Sequence, residues 1–177
     1  GLRNDDTTSL GDWTVNPKKL PSGLAGLSLE VHRLGMMFGL WVEPEMVSIE
    51  SQLYKKHPDW MIAIPGRRPS VGRNQYILDL SRQEVRDHLF KNLSETWHLA
   101  DVNYIKWDMN RVFSDIYSAN AEIRNHGEFF HRYVLGLYDL LDRLTKAFSN
   151  VRFDSCASGG NRFDLGMLCY MSQTWTS

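Results

Sequence analysis

Short apolar runs of strand length alternate with amphipathic helical patterns, and this alternation limits the possible folds more than any other feature of the sequence. Leu20, Leu24, Leu27, Val31 and Leu34 recur at steps of four, three, four and three, one face of a helix, with Gly35 as its stop. Residues 36–42 form an apolar run of buried-strand type ended by Glu43 and Pro44. A second helix is predicted over residues 45–56, halting before Pro58. Residues 66–74 carry Arg67, Arg68 and Arg73 among Gly and Pro and read as a loop. Residues 76–80 read as the next strand. Ser81 followed by Glu84 is a capping-box signature for a helix continued by Val85, Leu89 and Leu93. Residues 102–107 are a third strand, and a loop runs on through Gly127. Phe129, Tyr133, Leu137, Leu140, Leu144 and Phe148 then mark the clearest helix. Residues 151–155 are a fourth strand. Ser158-Gly159-Gly160 is a tight turn, and after a short helix a fifth strand lies near residues 170–175.

Strands separated by helices pair in parallel, because each crossover returns the chain to the same end of the sheet. Length suggests one domain, since 177 residues leave little room for two. Five strands fit an open doubly wound sheet or part of a (β/α)8 barrel. No Gly-x-Gly-x-x-Gly dinucleotide fingerprint occurs. The barrel pattern is visible: polar groups gather at strand C-termini while the opposite face stays apolar. By parity, Lys106 and Asp108 share one face, and Ile105 and Trp107 the other. Trp41 pairs with Glu43 in the same way, and Asp154 with Cys156.

The charge balance excludes some partners. Lys and Arg number 20 against 21 Asp and Glu, a net charge of −1, which argues against nucleic acid or an anionic membrane as the main partner. No apolar run approaches the ~18–20 residues of a membrane span. The first residues lack a basic-then-apolar secretory pattern. Two cysteines make no disulfide framework, so free thiols in a reducing cytoplasm are expected. Aromatic content is unusual at 12% with six Trp, the residue whose flat apolar face stacks on sugar rings.

The sharpest pair is Lys106 and Asp108. A cation two residues away on one strand face would keep the carboxylate ionised. An ionised, partly desolvated carboxylate suits attack at a sugar anomeric carbon; a plain ion pair fixing strand register is the alternative. Trp41 is either a stacking platform or core. Glu43 and Glu45 are either catalytic carboxylates or acids at a helix N-terminus, the reading preferred for Glu45. Asn110 and Arg111 can bind a ligand or cap a loop. Arg73 sits in a basic loop. Cys156 precedes a turn whose backbone N–H groups can face a ligand. His126 and His131 lie five apart, which is no metal-ligand spacing, and no metal or cofactor is expected.

Several strings together resemble the glycoside hydrolase family thirty-six α-galactosidases. They are Gly11-Asp12-Trp13, the run from Phe38 through Trp41-Val42-Glu43-Pro44-Glu45 to Val47, His57-Pro58-Asp59-Trp60 and Tyr76-Ile77-Leu78-Asp79-Leu80-Ser81. Ile105-Lys106-Trp107-Asp108-Met109-Asn110-Arg111 and the run from Ser155-Cys156-Ala157-Ser158-Gly159-Gly160 to Asp164 complete the set. The resemblance covers nearly the whole chain. It implies retaining hydrolysis of terminal α-linked galactose from melibiose- and raffinose-type oligosaccharides, in an α/β fold forming about strands two to six of a (β/α)8 barrel. Flanking barrel strands and β-rich domains are expected in a larger cytoplasmic protein, commonly a homo-oligomer. By motif, Asp108 matches the nucleophile, Lys106 and Arg73 bind galactose hydroxyls, and Trp41 walls the sugar pocket. Cys156 and Gly159 match the loop near the sugar, and Asn110 lies in the same binding string. The family's Asp-Asp-Gly-Trp string is expected just upstream, and its acid/base Asp directly after Trp175-Thr176-Ser177. Asp154 stands where Glu is frequent and Ser172 where Pro is common. Residues 1–177 alone are expected to be inactive and to self-associate through open sheet edges. Galactosyl transfer to a sugar acceptor, and a non-catalytic sugar-binding or structural module, are the competing readings.

Overall fold

The structure, a computed structural model, describes residues 3–119 and 126–176. Expectations touching the first two residues, part of the loop before Gly127 and Ser177 lie outside them. Helix α1 (Gly23–Arg33) leads to strand β1 (Gly39–Val42). Strand β2 (Met46–Val47), helix α2 (Gln52–Lys56), a 3₁₀ turn at Pro58–Trp60 and strand β3 (Tyr76–Ile77) follow. Helix α3 (Gln83–Ala100) precedes strand β4 (Tyr104–Trp107), and helix α4 (Phe129–Ala147) precedes strand β5 (Arg152–Ser155). Helix α5 (Leu165–Leu168) and strand β6 (Gln173–Thr174) complete the order.

The main sheet is parallel, in the order β1-β4-β5-β6. Its register sets Trp41 beside Lys106, Lys106 beside Asp154 and Asp154 beside Gln173, one polar row across four strands. The alternate row of Ile105 and Phe153 is buried in the core with α3 and α4, as the pleat requires. On α3, Val85, Leu89, Leu93, Trp97 and Ala100 recur on one face and are all buried. The helix ends where Asp101 adopts a left-handed conformation, φ 44°. Trp97 meets Phe148 and Phe153 edge-on at 5.2 and 5.8 Å, joining α3 to the end of α4 and to β5. The predicted α4 stripe is buried from Phe129 to Leu144. Among the described residues no helix is long and apolar enough to cross a membrane.

Several expectations need correction. The parallel sheet holds four strands, not five. Residues 76–80 supply only the two-residue β3, which pairs antiparallel with β2 outside that sheet. The predicted helix over residues 45–56 forms only as α2, because Met46 and Val47 pair with β3 and the Leu78 amide bonds to the Glu45 carbonyl at 2.9 Å. Ser51 caps α2, accepting from the Tyr54 amide at 3.0 Å. The capping box at Ser81 does not form. Ser81 donates to Asp79 at 2.5 Å, and Glu84 pairs with Arg82. On α1 the apolar stripe is shallow: Leu24 and Val31 lie partly buried against the core, while Leu27 and Leu34 are exposed. Only residues 39–42 of the run 36–42 are strand, and Met36 and Met37 are exposed.

Gly136 lets α4 approach the β3–α3 connection. A Cβ there would lie 1.9 Å from the Leu80 carbonyl oxygen. An interior helix Gly→Ala change ordinarily stabilises by roughly 0.5–1 kcal/mol. Here backbone fills the space, so Gly136→Ala is expected to destabilise, by about 1–3 kcal/mol. Urea unfolding checks this, and a gain in stability would contradict the close approach.

Candidate active site

The parallel ladder continues past the strand ends and brings their next residues together. The Asp108 amide bonds to the Val42 carbonyl at 2.8 Å, and the Cys156 amide to the Trp107 carbonyl at 2.8 Å. Met109 N–H bonds to Cys156 O at 2.9 Å, and Trp175 N–H to Ser155 O at 2.8 Å. Glu43, Asp108 and Cys156 thus emerge side by side at the C-terminal ends of β1, β4 and β5.

Asp108 is 6% exposed. Trp41 Nε1 donates to its Oδ2 at 2.9 Å, and its own neighbour's amide, Met109 N, to Oδ1 at 3.0 Å. Burial pushes this carboxyl up. The hydrogen bonds from Trp41, Asn110, Cys156 and the Met109 amide outweigh burial and hold it below the ordinary carboxylate range. The result is an ionised carboxylate with little water around it.

Lys106 does not supply that stabilisation in the way the sequence suggested. It forms no ion pair with Asp108 among the described residues; its Nζ lies 3.7 Å from the Trp175 ring centroid. Asp108 stands beyond the last residue of β4, where Trp41 of β1, the Met109 amide and Cys156 after β5 meet it. Lys106, still within the strand, reaches toward the β6 side.

Cys156 is buried beside Asp108. Burial raises its thiol, and so does donation to Asp108 together with that carboxylate's charge; the Gly159 amide and Lys106 oppose this. Gly159 holds φ 93° and Ser158 φ 51°, which turns the Gly159 N–H back toward the Cys156 sulfur. Ser158 Oγ donates to Asn110 Oδ1 at 3.0 Å. Asp108, Trp41, Asn110, Cys156 and Gly159 therefore form one cluster, with Lys106 on its flank.

Arg73 is not drawn into that cluster. It is exposed, φ 53°, with no hydrogen bond or ion pair among the described residues. Its loop is nevertheless fastened close by. Buried Arg111 donates to Ser70 O and to Ser114 Oγ (2.8 Å), and its side chain packs on Gly72. Arg111 thus holds the loop in place.

Glu43 is 1% exposed, with Asn110 N–H on Oε1 at 2.6 Å and Gln75 Nε2 on Oε2 at 2.9 Å. Burial raises its carboxyl, Asp108 adds to the rise, and the two donors only partly offset it. Glu45 overturns the preferred reading of a helix-capping acid. It has no exposed surface and accepts from Trp107 Nε1 (2.9 Å), Tyr133 OH (2.7 Å) and Arg162 Nη1 (2.7 Å). Arg162 lies within the string that runs to Asp164, but the sequence assigns it no role of its own. The available signal was the indole of Trp107 and the phenol of Tyr133, both on apolar faces and both needing a buried acceptor. On the polar row, Asp154 accepts from Tyr104 OH at 2.7 Å; burial and this carboxylate push the phenol up to about 12. Among the described residues no group of three or more His, Cys, Asp or Glu is placed to hold a metal ion.

The chain is 52% identical over its full length to Alpha-galactosidase 1 of Pediococcus pentosaceus and to Alpha-galactosidase AgaA of Geobacillus stearothermophilus, and spans 24% of each. It superposes on the crystal structure of the latter, described as a GH36 α-galactosidase, with a TM-score of 0.95 and 53% identity, covering all of this chain and 25% of that one. A variant of that enzyme in complex with raffinose matches equally well, at TM-score 0.95 and 53% identity over the same shares. Because a melibiase family model also matches residues 1–177 in full, the chain belongs to the melibiase family.

Proposed function

We propose that the chain is the part of an α-galactosidase catalytic (β/α)8 barrel that carries the nucleophile, Asp108. The observation that carries this reading is a carboxylate both buried and held ionised at the end of an interior parallel strand. The names of the relatives support the substrate class. So do crystal structures of AgaA variants with raffinose and with stachyose.

In this reading Asp108 Oδ attacks the anomeric carbon of a terminal α-galactoside. The bond from that carbon to the leaving oxygen breaks as an acid protonates the oxygen. Water, deprotonated by the same group, then releases galactose from the ester with the anomeric configuration retained. The resemblance assigns the acid/base to an Asp directly after Ser177. Trp175 N–H bonds to Ser155 O, so the β6 end runs beside Cys156, on the side from which such an acid could face Asp108. Trp41 both walls the sugar site and orients the nucleophile, while Lys106, Asn110, Cys156, Gly159 and the Arg73 loop contact sugar hydroxyls.

In the full-length protein, Asp108→Asn is expected to lower turnover of p-nitrophenyl α-galactoside by at least about 10³-fold while the fold persists, since the amide oxygen still accepts from Trp41. A 2-deoxy-2-fluoro galactosyl reagent is expected to label the peptide containing Asp108, read by mass spectrometry; label on another carboxylate refutes the assignment.

Trp41→Phe removes one donor to the Asp108 carboxylate. The nucleophile must be ionised to act, so losing that donor raises its pKa and moves the acid limb of kcat/KM to higher pH. An unmoved limb in pH–rate profiles would show that the indole does not tune Asp108.

Residues 1–177 alone are expected to leave the galactoside intact and to self-associate. Strands β1 and β6 are the edges of the sheet, and Met36, Met37, Trp41 and Trp175 are exposed near them. Light scattering reads the association, and a stable monomer contradicts it.

A further inference from the structure

Behind the sheet, one buried ion pair reaches both sequence neighbours of Asp108. Glu45 accepts from Trp107 Nε1 and from Arg162 Nη1, and Arg162 Nη1 also lies 3.1 Å from the Met109 sulfur. Trp107 and Met109 bracket Asp108 in the chain. Arg162 closes the loop that opens at Cys156. Two further bonds fasten that loop at its near end: Met109 N–H to Cys156 O, and Ser158 Oγ to Asn110 Oδ1. At its far end the Arg162 guanidinium is the tie, its side chain 15% exposed against the fully buried Glu45. Tyr133, on α4, holds the second Glu45 oxygen, so the anchor is fixed to a helix as well as to a strand.

Resting on the α-galactosidase reading above, we propose that Arg162, paired with Glu45, is a positioning residue: it sets the 156–162 loop against the end of β4 so that the Gly159 amide meets the Cys156 sulfur and the Cys156 thiol faces the Asp108 carboxylate. It touches no reacting atom. Its effect passes through Met109 and Trp107 on one side and through its own loop on the other.

Removing one partner leaves the other as an uncompensated buried charge, which can unfold the chain. The test therefore uses the full-length protein with both charges removed, Glu45→Gln with Arg162→Met, beside Arg162→Lys, which keeps the pairing. Two readouts are taken. The first is alkylation of Cys156 by iodoacetamide, followed by peptide mass spectrometry with exposed Cys169 as the internal reference. The second is kcat, KM and the acid limb with p-nitrophenyl α-galactoside.

In the double variant, Cys156 alkylation is expected to rise at least about tenfold relative to Cys169, because the loop opens locally. Turnover is expected to fall roughly 10–100-fold, with KM changing less. The acid limb is expected to move to higher pH as Asp108 loses its thiol donor. Glu43 after β1 and Lys106 on β4, the other titratable groups near this centre, are unchanged in the variant. Arg162→Lys is expected to keep values close to those of the unmodified protein. A double variant with unchanged Cys156 reactivity, kcat and acid limb overturns the proposal, as does an Arg162→Lys protein that behaves like the double variant. If the unmodified protein fails to hydrolyse the galactoside, the α-galactosidase reading falls, and the Cys156 rates alone decide the positioning role.

Discussion

The Glu45–Arg162 pair lies where the sheet, helix α4 and the loop after β5 meet, and the geometry of the strand ends depends on it. Taking two charges out of water costs several kcal/mol per ion, and their attraction alone repays this only when the remaining lone pairs are also satisfied. On the acid's side the condition is met, by three donors to Glu45 from three separate elements, whereas Nε and Nη2 of Arg162 have no hydrogen-bond partner among the described residues. An apolar filling of the same volume could be as stable, but it could also slide. Hydrogen bonds of 2.7–2.9 Å to an indole, a phenol and a guanidinium cannot. Direction, more than net energy, is what this cluster contributes.

On the front of the sheet two carboxyls sit close together in opposite environments. Glu43 is almost fully buried, and its two donors do not offset the loss of water, so its carboxyl rises. Asp108 receives more donors for a shallower burial, so its carboxyl falls. Neighbouring acids whose environments drive them apart can carry different duties at one pH. Here the contrast sets a carboxylate held ionised by its donors beside one that burial pushes toward the protonated form. Through the Asn110 amide, Glu43 shapes the backbone just beyond Asp108.

Legibility in the sequence followed the range of the interaction concerned. The α3 and α4 stripes were readable because a 3.6-residue period over eighteen or nineteen residues has few competing explanations. Residues 102–107 and 151–155 were readable because polar and apolar positions alternate there. Residues 76–80 were misplaced because a short, mostly apolar run does not name its partner strand; β2 claimed it, and β2 was itself hidden inside an expected helix. Ser81 and Glu84 matched a capping box, yet Asp79 and Arg82 lay closer and took both side chains. The motifs name Asp108, Trp41, Asn110, Cys156 and Gly159, and the structure brings these residues together. Glu45 with Arg162 was not legible, because 117 residues separate them and each looks ordinary in its local setting. The Lys106–Asp108 pairing failed for a geometric reason: alternation places two side chains on one face but does not aim them at each other.

Cys156 brings a chemical hazard into a site of this kind, because a thiolate beside a cleft invites oxidation. The arrangement removes the hazard with the carboxylate that creates the site. Burial and the Asp108 charge both keep the sulfur protonated, and its proton is committed to Asp108. A thiol that is donating a hydrogen bond has little thiolate character, and sulfenic acid formation follows thiolate character and exposure. The residue can therefore act as a compact, weakly polar donor next to Asp108 without making the centre sensitive to peroxide. Cys169 differs in exposure: it is open to solvent, whereas Cys156 is buried. Oxidative damage to the chain should therefore begin at Cys169, away from Asp108.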